Sequence, residues 1–346
     1  MASLPTILVT GATGFIGRHL VRQLSRDGTA LRLLVRSQAK AEALFGSQFE
    51  LVEGEVTNPD AVERACRGMR QVYHLAGYYE FGRRHQPELW RTNVDGTRHI
   101  LAACRRAAVE RLIHGSTAGV LHSVGRPRTH RDFPTRPPTG CHYKVSKWEA
   151  EQSVLRAAAQ GLPAVIASPT APLGTGDDRP TPTGRVLLDL LQGRFPVCPH
   201  TGFNVAAVED VAAGLQAVGE RGRNGQRYVL GDSNVWLRDL LRQGAQLAGV
   251  RPPRGLVPWP LVALGGLAAE GWAWLGGSGS SRLCWETAYY ARQRQFFDCT
   301  HSHSELGWKP QKTLAETLRD ALSWFATFPH TRPVRPPVQT EPVTSR

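Results

Sequence analysis

Short apolar runs alternate with helix-patterned stretches through the first half of the chain. Ile7-Leu8-Val9 precedes the run His19-Leu20-Val21-Arg22-Gln23-Leu24, and Ala30-Leu31-Arg32-Leu33-Leu34-Val35 and Phe49-Glu50-Leu51-Val52 follow as strands. Asn58-Pro59 supplies an N-cap and a first-turn proline for a helix ending near Gly68. Val72-Tyr73-His74-Leu75-Ala76-Gly77 is a fourth strand, a helix runs from Asn93 to Ala108, and Arg111-Leu112-Ile113-His114 is a fifth strand. Tyr143 to Glu151 reads as a helix, and Ala164-Val165-Ile166-Ala167 as a sixth strand. Strands alternating with helices in this way predict an α/β, Rossmann-type doubly wound parallel sheet covered on both faces.

Between the first strand and the first helix lies Thr10-Gly11-Ala12-Thr13-Gly14-Phe15-Ile16-Gly17. Its three glycines allow a tight turn and a close approach of the main chain to a pyrophosphate, beside the free N–H donors of a helix start. The implied ligand is a dinucleotide. The second strand ends at Arg36, with Lys40 beyond it and no acid in the neighbourhood. An acid there would bond a ribose 2′-hydroxyl and an arginine accommodates a 2′-phosphate, so NADP(H) is favoured over NAD(H). Tyr143 and Lys147 are four residues apart on one helix face. An ammonium beside a phenol stabilises the phenolate and brings its proton transfer toward working pH. The turn Gly115-Ser116-Thr117-Ala118-Gly119 offers hydroxyls at a strand end, and the aromatic, basic loop Tyr78 to Arg84 is placed for substrate contact.

Composition narrows the partners. The chain has 346 residues, a formal net charge of +13 and a pI near 10.0, with arginine scattered rather than clustered. With no nucleic-acid motif, that charge points to an acidic ligand such as a phosphorylated cofactor, or to an anionic membrane surface. Cys66, Cys104, Cys141, Cys198, Cys284 and Cys299 have no paired spacing, which predicts reduced thiols and a cytoplasmic setting. The run Cys299-Thr300-His301-Ser302-His303 lacks a second ligand cluster and is read as a polar turn, so no metal is expected. The first residues do not have the pattern of a signal peptide.

Gly11-x-x-Gly14-x-x-Gly17, the turn after Leu75-Ala76-Gly77, Asn93, Ser116-Thr117 and Tyr143-x-x-x-Lys147 together resemble the extended short-chain dehydrogenase/reductases, the superfamily of NAD-dependent epimerases and dehydratases. The resemblance spans roughly residues 5 to 325. Val35-Arg36 and Ser116 to Gly119 look like the dihydroflavonol-4-reductase and 3β-hydroxysteroid dehydrogenase branch. Ser168 to Gly174 and Arg179 to Gly184 are similar to the hopanoid-associated sugar epimerases. The resemblance assigns proton transfer to Tyr143 and the nicotinamide ribose to Lys147, which also tunes the tyrosine. It gives the substrate oxygen to Thr117, with Ser116 as rival, and a proton relay near the lysine to Asn93. Cofactor contacts are implied at Gly11, Thr13, Gly14, Phe15, Ile16, Gly17, Arg36, Lys40, Leu75, Ala76, Gly77, Tyr143, Lys147 and Pro169. Glu55-Val56 stands where many relatives carry an aspartate against the adenine. A homodimer through helices is usual in such proteins.

The implied organisation is a dinucleotide-binding domain over 1–172, to which 203–220 returns, a smaller, mainly substrate-binding domain over 173–328, and a disordered tail over 329–346. Gly174 to Gly184 reads as a long irregular loop, Phe203 to Val208 as a strand, and Asp210 as a helix start. Thr313 to Glu316 is a capping box, opening a helix that buries Leu314, Leu318, Leu322 and Phe325. Val257 to Leu275 is almost wholly apolar, with three tryptophans. It reads as a buried or pocket-covering helix, a peripheral membrane contact or a span, and prolines, glycines and Glu270 speak against the last. Two activities fit: reduction of a ketone (or oxidation of a secondary alcohol) on an apolar, cyclic metabolite, and nucleotide-sugar epimerisation or dehydration with tightly held NAD.

Overall fold

The computed structural model describes residues 6–26, 28–121, 126–274, 284–292 and 294–329. The expected disordered tail, apart from Pro329, and Leu275 at the end of the apolar stretch lie outside them. The first part of the chain runs β1 (Ile7–Thr10), α1 (Phe15–Arg26), β2 (Leu31–Val35), α2 (Gln38–Phe45), β3 (Glu50–Glu53), α3 (Pro59–Cys66) and β4 (Gln71–His74). It continues through α4 (Gln86–Leu89), a π-helical turn (Trp90–Asp95), α5 (Gly96–Arg106), β5 (Arg111–Gly115), α6 (His142–Ala159) and β6 (Ala164–Pro169). Next come β7 (Ala171–Leu173), α7 (Pro182–Leu191), β8 (Val197–Pro199), β9 (Gly202–Ala207), α8 (Val208–Arg221) and β10 (Arg227–Leu230). The last elements are β11 (Ser233–Trp236), α9 (Leu237–Ala248), β12 (Gly255–Val257), α10 (Trp259–Trp274), α11 (Trp285–Arg292), α12 (Thr300–Leu306) and α13 (Leu314–Ala326).

Seven strands form one parallel sheet in the order β10-β6-β5-β4-β1-β2-β3, the doubly wound arrangement that the alternation predicts. Alternate side chains of each strand feed opposite layers. Val9, Leu33, Tyr73, Ile113 and Val165 enter a core with α1 and α8, whereas Leu8, Leu34, Val72, Leu112 and Ile166 enter the core under α3, α5 and α6. The strand order reverses between β1 and β4, the switch point beyond whose strand carboxyl ends an open α/β sheet forms its ligand crevice.

β9 pairs with β7 and β11 in a separate three-stranded sheet, while α8 directly after it packs on α1. β8 and β12 form a two-stranded parallel pair. A third core gathers Leu173, Leu187, Val205, Leu240, Leu318, Leu322 and Phe325. The capping box of α13 is complete: the Thr313 hydroxyl accepts from the Glu316 amide, and the Glu316 carboxylate accepts from the Thr313 amide at 2.8 Å.

Two local expectations are corrected, and one helix was not expected. The helix expected from Asn93 begins at Gln86, so Asn93 lies inside a π-helical turn rather than at a helix start. The irregular loop expected over Gly174 to Gly184 ends at Thr181, which caps α7 by accepting from the Gly184 amide at 3.0 Å. Proline at the first helical position is a start signal there, not a breaker. Gln38–Phe45 is a helix capped by Ser37, a short element whose apolar positions are too few to show a period.

Candidate active site

Each glycine of the first turn has its own steric reason. Gly11 has φ +71, and a β-carbon there would lie 2.6 Å from the Ala76 nitrogen, so the turn after β1 presses against Leu75-Ala76 after β4. A β-carbon on Gly17 would sit 2.1 Å from the Gly11 carbonyl oxygen. On Gly14 it would meet only that oxygen, at 3.1 Å, leaving an exposed concave face that a side chain would fill. This cradle, with the N–H groups of the first turn of α1 and no acid in that turn, fits the diphosphate of a dinucleotide. Phe15 and Ile16 are half-buried in that turn, and the Thr13 carbonyl accepts from Arg18 at 3.4 Å.

Arg36 is exposed at the end of β2, and Lys40 is exposed on α2 with its amine 3.7 Å from Asp178. Glu55 is exposed and accepts from the Thr57 hydroxyl at 3.1 Å; Val56 is buried, and its carbonyl accepts from His99 Nδ1 at 3.0 Å. Pro169 closes β6, buried opposite Leu230 of β10. These positions and Gly77 lie at the carboxyl ends of strands or just beyond them, around the crevice. The segment 174–178 folds over α1: Asp178 pairs with the two terminal guanidinium nitrogens of Arg18, and the Thr175 carbonyl lies 2.9 Å from His19 Nε2. Burial alone would raise the Asp178 carboxyl, but the Arg18 hydrogen bond and charge outweigh it and hold it below its ordinary value.

Tyr143 and Lys147 stand one turn apart on α6, both buried. The Lys147 amine donates to the Gly115 carbonyl at the end of β5, 2.6 Å away. Burial lowers its pKa to about 8, partly offset by Glu151. Two histidines lie below it, on neighbouring positions of β4 and β5. The Thr97 hydroxyl gives its proton to the Asn93 carbonyl at 2.6 Å, so it accepts from His74 Nε2 at 3.1 Å, and His74 Nδ1 in turn accepts from the Thr10 hydroxyl at 2.9 Å. This chain fixes a neutral tautomer, in keeping with burial, which lowers the His74 pKa to about 3.

Asn93 is buried by the π-helical turn and uses its whole amide. Its Oδ1 accepts from the Tyr78 amide at 2.7 Å, and its Nδ2 donates to the Tyr78 carbonyl at 3.0 Å and to the Ser146 hydroxyl at 2.9 Å. Ser146 donates onward to the Tyr143 carbonyl at 2.8 Å. The loop after β4 is thereby tied to the helix that carries Tyr143. Thr117 and Ser116 diverge: Ser116 donates to Glu151 at 2.5 Å, inside a buried pair of Glu151 with Arg227, whereas Thr117 accepts from the Gly119 amide at 3.2 Å and keeps its own proton for donation.

Sequence reasoning singled out the loop from Tyr78 to Arg84 without its geometry. The Tyr79 ring lies tilted at 32° against that of Tyr143 with centroids 4.2 Å apart, and Phe81 meets Tyr143 edge-on at 6.4 Å. Leu89, Cys141 and Cys284 complete this apolar wall. Glu286 on α11 was missed. It is buried, accepts from the Gly82 amide at 3.0 Å and pairs with His142 beside Tyr143, joining α11 to the loop and to α6. Its partners lie far away in the chain, so no local pattern marks it. All six cysteines are free and buried. In the 299–303 run, His301 stacks on His130 at 3.7 Å and lies 2.9 Å from Glu305, and His303 Nε2 faces the Gly231 carbonyl at 3.2 Å.

A strand-turn-helix cradle for a dinucleotide and a buried tyrosine-lysine pair at the adjoining strand ends define a nicotinamide-dependent oxidoreductase of the extended short-chain type. The chain belongs to the NAD dependent epimerase/dehydratase family, whose model matches residues 7–231. It is 33% identical over 333 residues to a putative dihydroflavonol 4-reductase of Synechocystis, covering 94% of this chain and 96% of that protein. It is 29% identical over 335 residues to sterol demethylase protein B of Methylococcus capsulatus, covering 92% and 98%. Among solved structures, gox2253 superposes with a TM-score of 0.82 at 33% identity, covering 95% of this chain and all of that one. The family uses NAD(P), and the chain is accordingly an NAD(P)-dependent oxidoreductase.

Proposed function

We propose that the protein is an NADPH-dependent reductase of a ketone on an apolar, cyclic metabolite. The observation that carries this reading is the wall around Tyr143. Tyr79, Phe81, Leu89 and Cys284 surround the phenol, so a carbonyl presented to it brings an apolar body with it. The names of two relatives, a dihydroflavonol reductase and a sterol demethylase protein, agree with a ring-bearing substrate. Arg36 and Lys40 favour the 2′-phosphate of NADP(H).

Bound NADPH would supply the hydride that reaches the carbonyl carbon. Tyr143 gives its phenol proton to the carbonyl oxygen as the alcohol forms, and Thr117 donates a hydrogen bond to the same oxygen. Lys147, fixed by the Gly115 carbonyl, stabilises the tyrosinate left behind and holds the nicotinamide ribose. Asn93 keeps the Tyr78 loop and α6 in register.

The test is to release and identify the cofactor of the purified protein, and then to follow NADPH consumption with bulky cyclic ketones. Stoichiometric NADP(H) release or binding with net NADPH oxidation is expected, and Arg36→Glu should weaken NADPH roughly tenfold while sparing NADH. Tightly held NAD with no net consumption in the presence of a nucleotide sugar would assign the protein to the epimerases instead.

A further inference from the structure

All six large apolar side chains exposed among the described residues lie on β8, on β12 that pairs with it, or on α10 two residues further on: Val197, Leu256, and Leu261, Leu264, Leu267 and Trp272. The four on α10 are 61%, 64%, 51% and 64% exposed. The opposite side of that helix is used for packing. Ala263 and Gly266 are buried, and a β-carbon on Gly266 would lie 2.9 Å from the Cys284 carbonyl oxygen at the start of α11. A helix with only one face against its protein ordinarily turns polar residues outward, and this one turns leucine and tryptophan.

The charge around the patch is mostly positive. From Leu240 to Trp274 the chain carries three arginines, Arg242, Arg251 and Arg254, against one carboxylate, Glu270. Arg251 and Arg254 are exposed, and the Arg254 amide donates to the Pro196 carbonyl at 2.9 Å, which sets it beside Val197. Exposed Arg292 lies 5.0 Å from the ring centroid of Trp259, the first residue of α10. Apolar side chains with arginines around them, and tryptophan at the border, match an interface of acyl chains and anionic headgroups. No helix among the described residues is long and apolar enough to cross a membrane, so such contact would be from one side.

We propose that α10 and β12 form a docking face for an anionic lipid bilayer. The face lies one helix away from the reacting groups. α11 packs under α10, Cys284 just before it belongs to the wall around Tyr143, and its Glu286 holds the Gly82 amide and His142. Docking brings the wall of the site to the membrane surface, where an apolar metabolite accumulates. That delivery rests on the ketone reading above, whereas docking itself does not.

The experiment is vesicle flotation of the full chain without substrate, on phosphatidylcholine vesicles with and without phosphatidylglycerol. Binding to the phosphatidylglycerol vesicles that weakens with salt is expected. Leu261→Gln/Leu264→Gln should lower it roughly thirtyfold. Arg251→Glu/Arg254→Glu should lower it roughly tenfold on anionic vesicles and leave neutral ones unaffected. Both variants should keep wild-type turnover of a water-soluble ketone, since none of the four residues touches the site. Failure of the wild type to float, or equal flotation of wild type and variants, would overturn the proposal. So would a dimer in sedimentation that Leu261→Gln/Leu264→Gln splits, because the face would then belong to a second copy. Loss of ketone turnover by the wild type with flotation intact would overturn the proposed reaction and leave docking standing.

Discussion

Asn93→Ala removes three hydrogen bonds from a residue that is 1% exposed. Each is worth about 1 kcal/mol net, and a buried group left without a partner costs about 1–3 kcal/mol. Ser146 keeps its bond to the Tyr143 carbonyl, and the half-buried Tyr78 peptide regains some solvent, so the total is about 3 kcal/mol. That is a large share of the stability of an ordinary domain. Urea unfolding followed by tryptophan fluorescence measures it. The same bonds hold the Tyr78-Tyr79 loop against α6, so the variant should raise KM for the ketone while leaving the NADPH dissociation constant within about twofold. Asn93→Asp keeps the acceptor for the Tyr78 amide but places a second acceptor against the Tyr78 carbonyl, and it should be no better than alanine. A loss of stability below about 1 kcal/mol for Asn93→Ala, with an unchanged KM, would refute the reasoning that this amide fastens the loop.

Gly17→Ala would drive a β-carbon to 2.1 Å from the Gly11 oxygen, so the turn must open; NADPH affinity by fluorescence titration should fall at least roughly tenfold. Lys147 carries its proton below about pH 8 and loses it above, because burial has lowered its pKa. In the proposed reaction its charge faces an anionic cofactor, so NADPH affinity should weaken as pH rises through that value, and Lys147→Met should flatten the profile over the same window.

The parallel sheet was legible because its strands are buried on both faces and read as apolar runs between helix patterns. The glycine turn was legible because its steric demands are local: Gly14 and Gly17 answer to Gly11 three and six residues back. Helical spacing puts Tyr143 and Lys147 on one face, and the glycine turn together with the hydroxyl-bearing strand end at Ser116-Thr117 marks that face as chemical. What escaped notice depends on distant partners. Glu286 meets Gly82 across 204 positions, and Arg18 meets Asp178 across 160. The π-helical turn at Asn93 escaped for another reason, since one extra residue in a helical turn leaves almost no trace in an apolar pattern. Whether the outer side of α10 was buried could not be read from its composition, because a pocket cover and a membrane contact are equally apolar.

The account turns on the phenol of Tyr143 as proton donor to a carbonyl in a nicotinamide-loaded site. The most direct test is single-turnover reduction of a cyclic ketone by NADPH-saturated Tyr143→Phe protein, beside a measurement of its NADPH dissociation constant. Turnover roughly a thousandfold below wild type with nearly unchanged cofactor affinity is the predicted result. Phenylalanine turning over at the wild-type rate would contradict it.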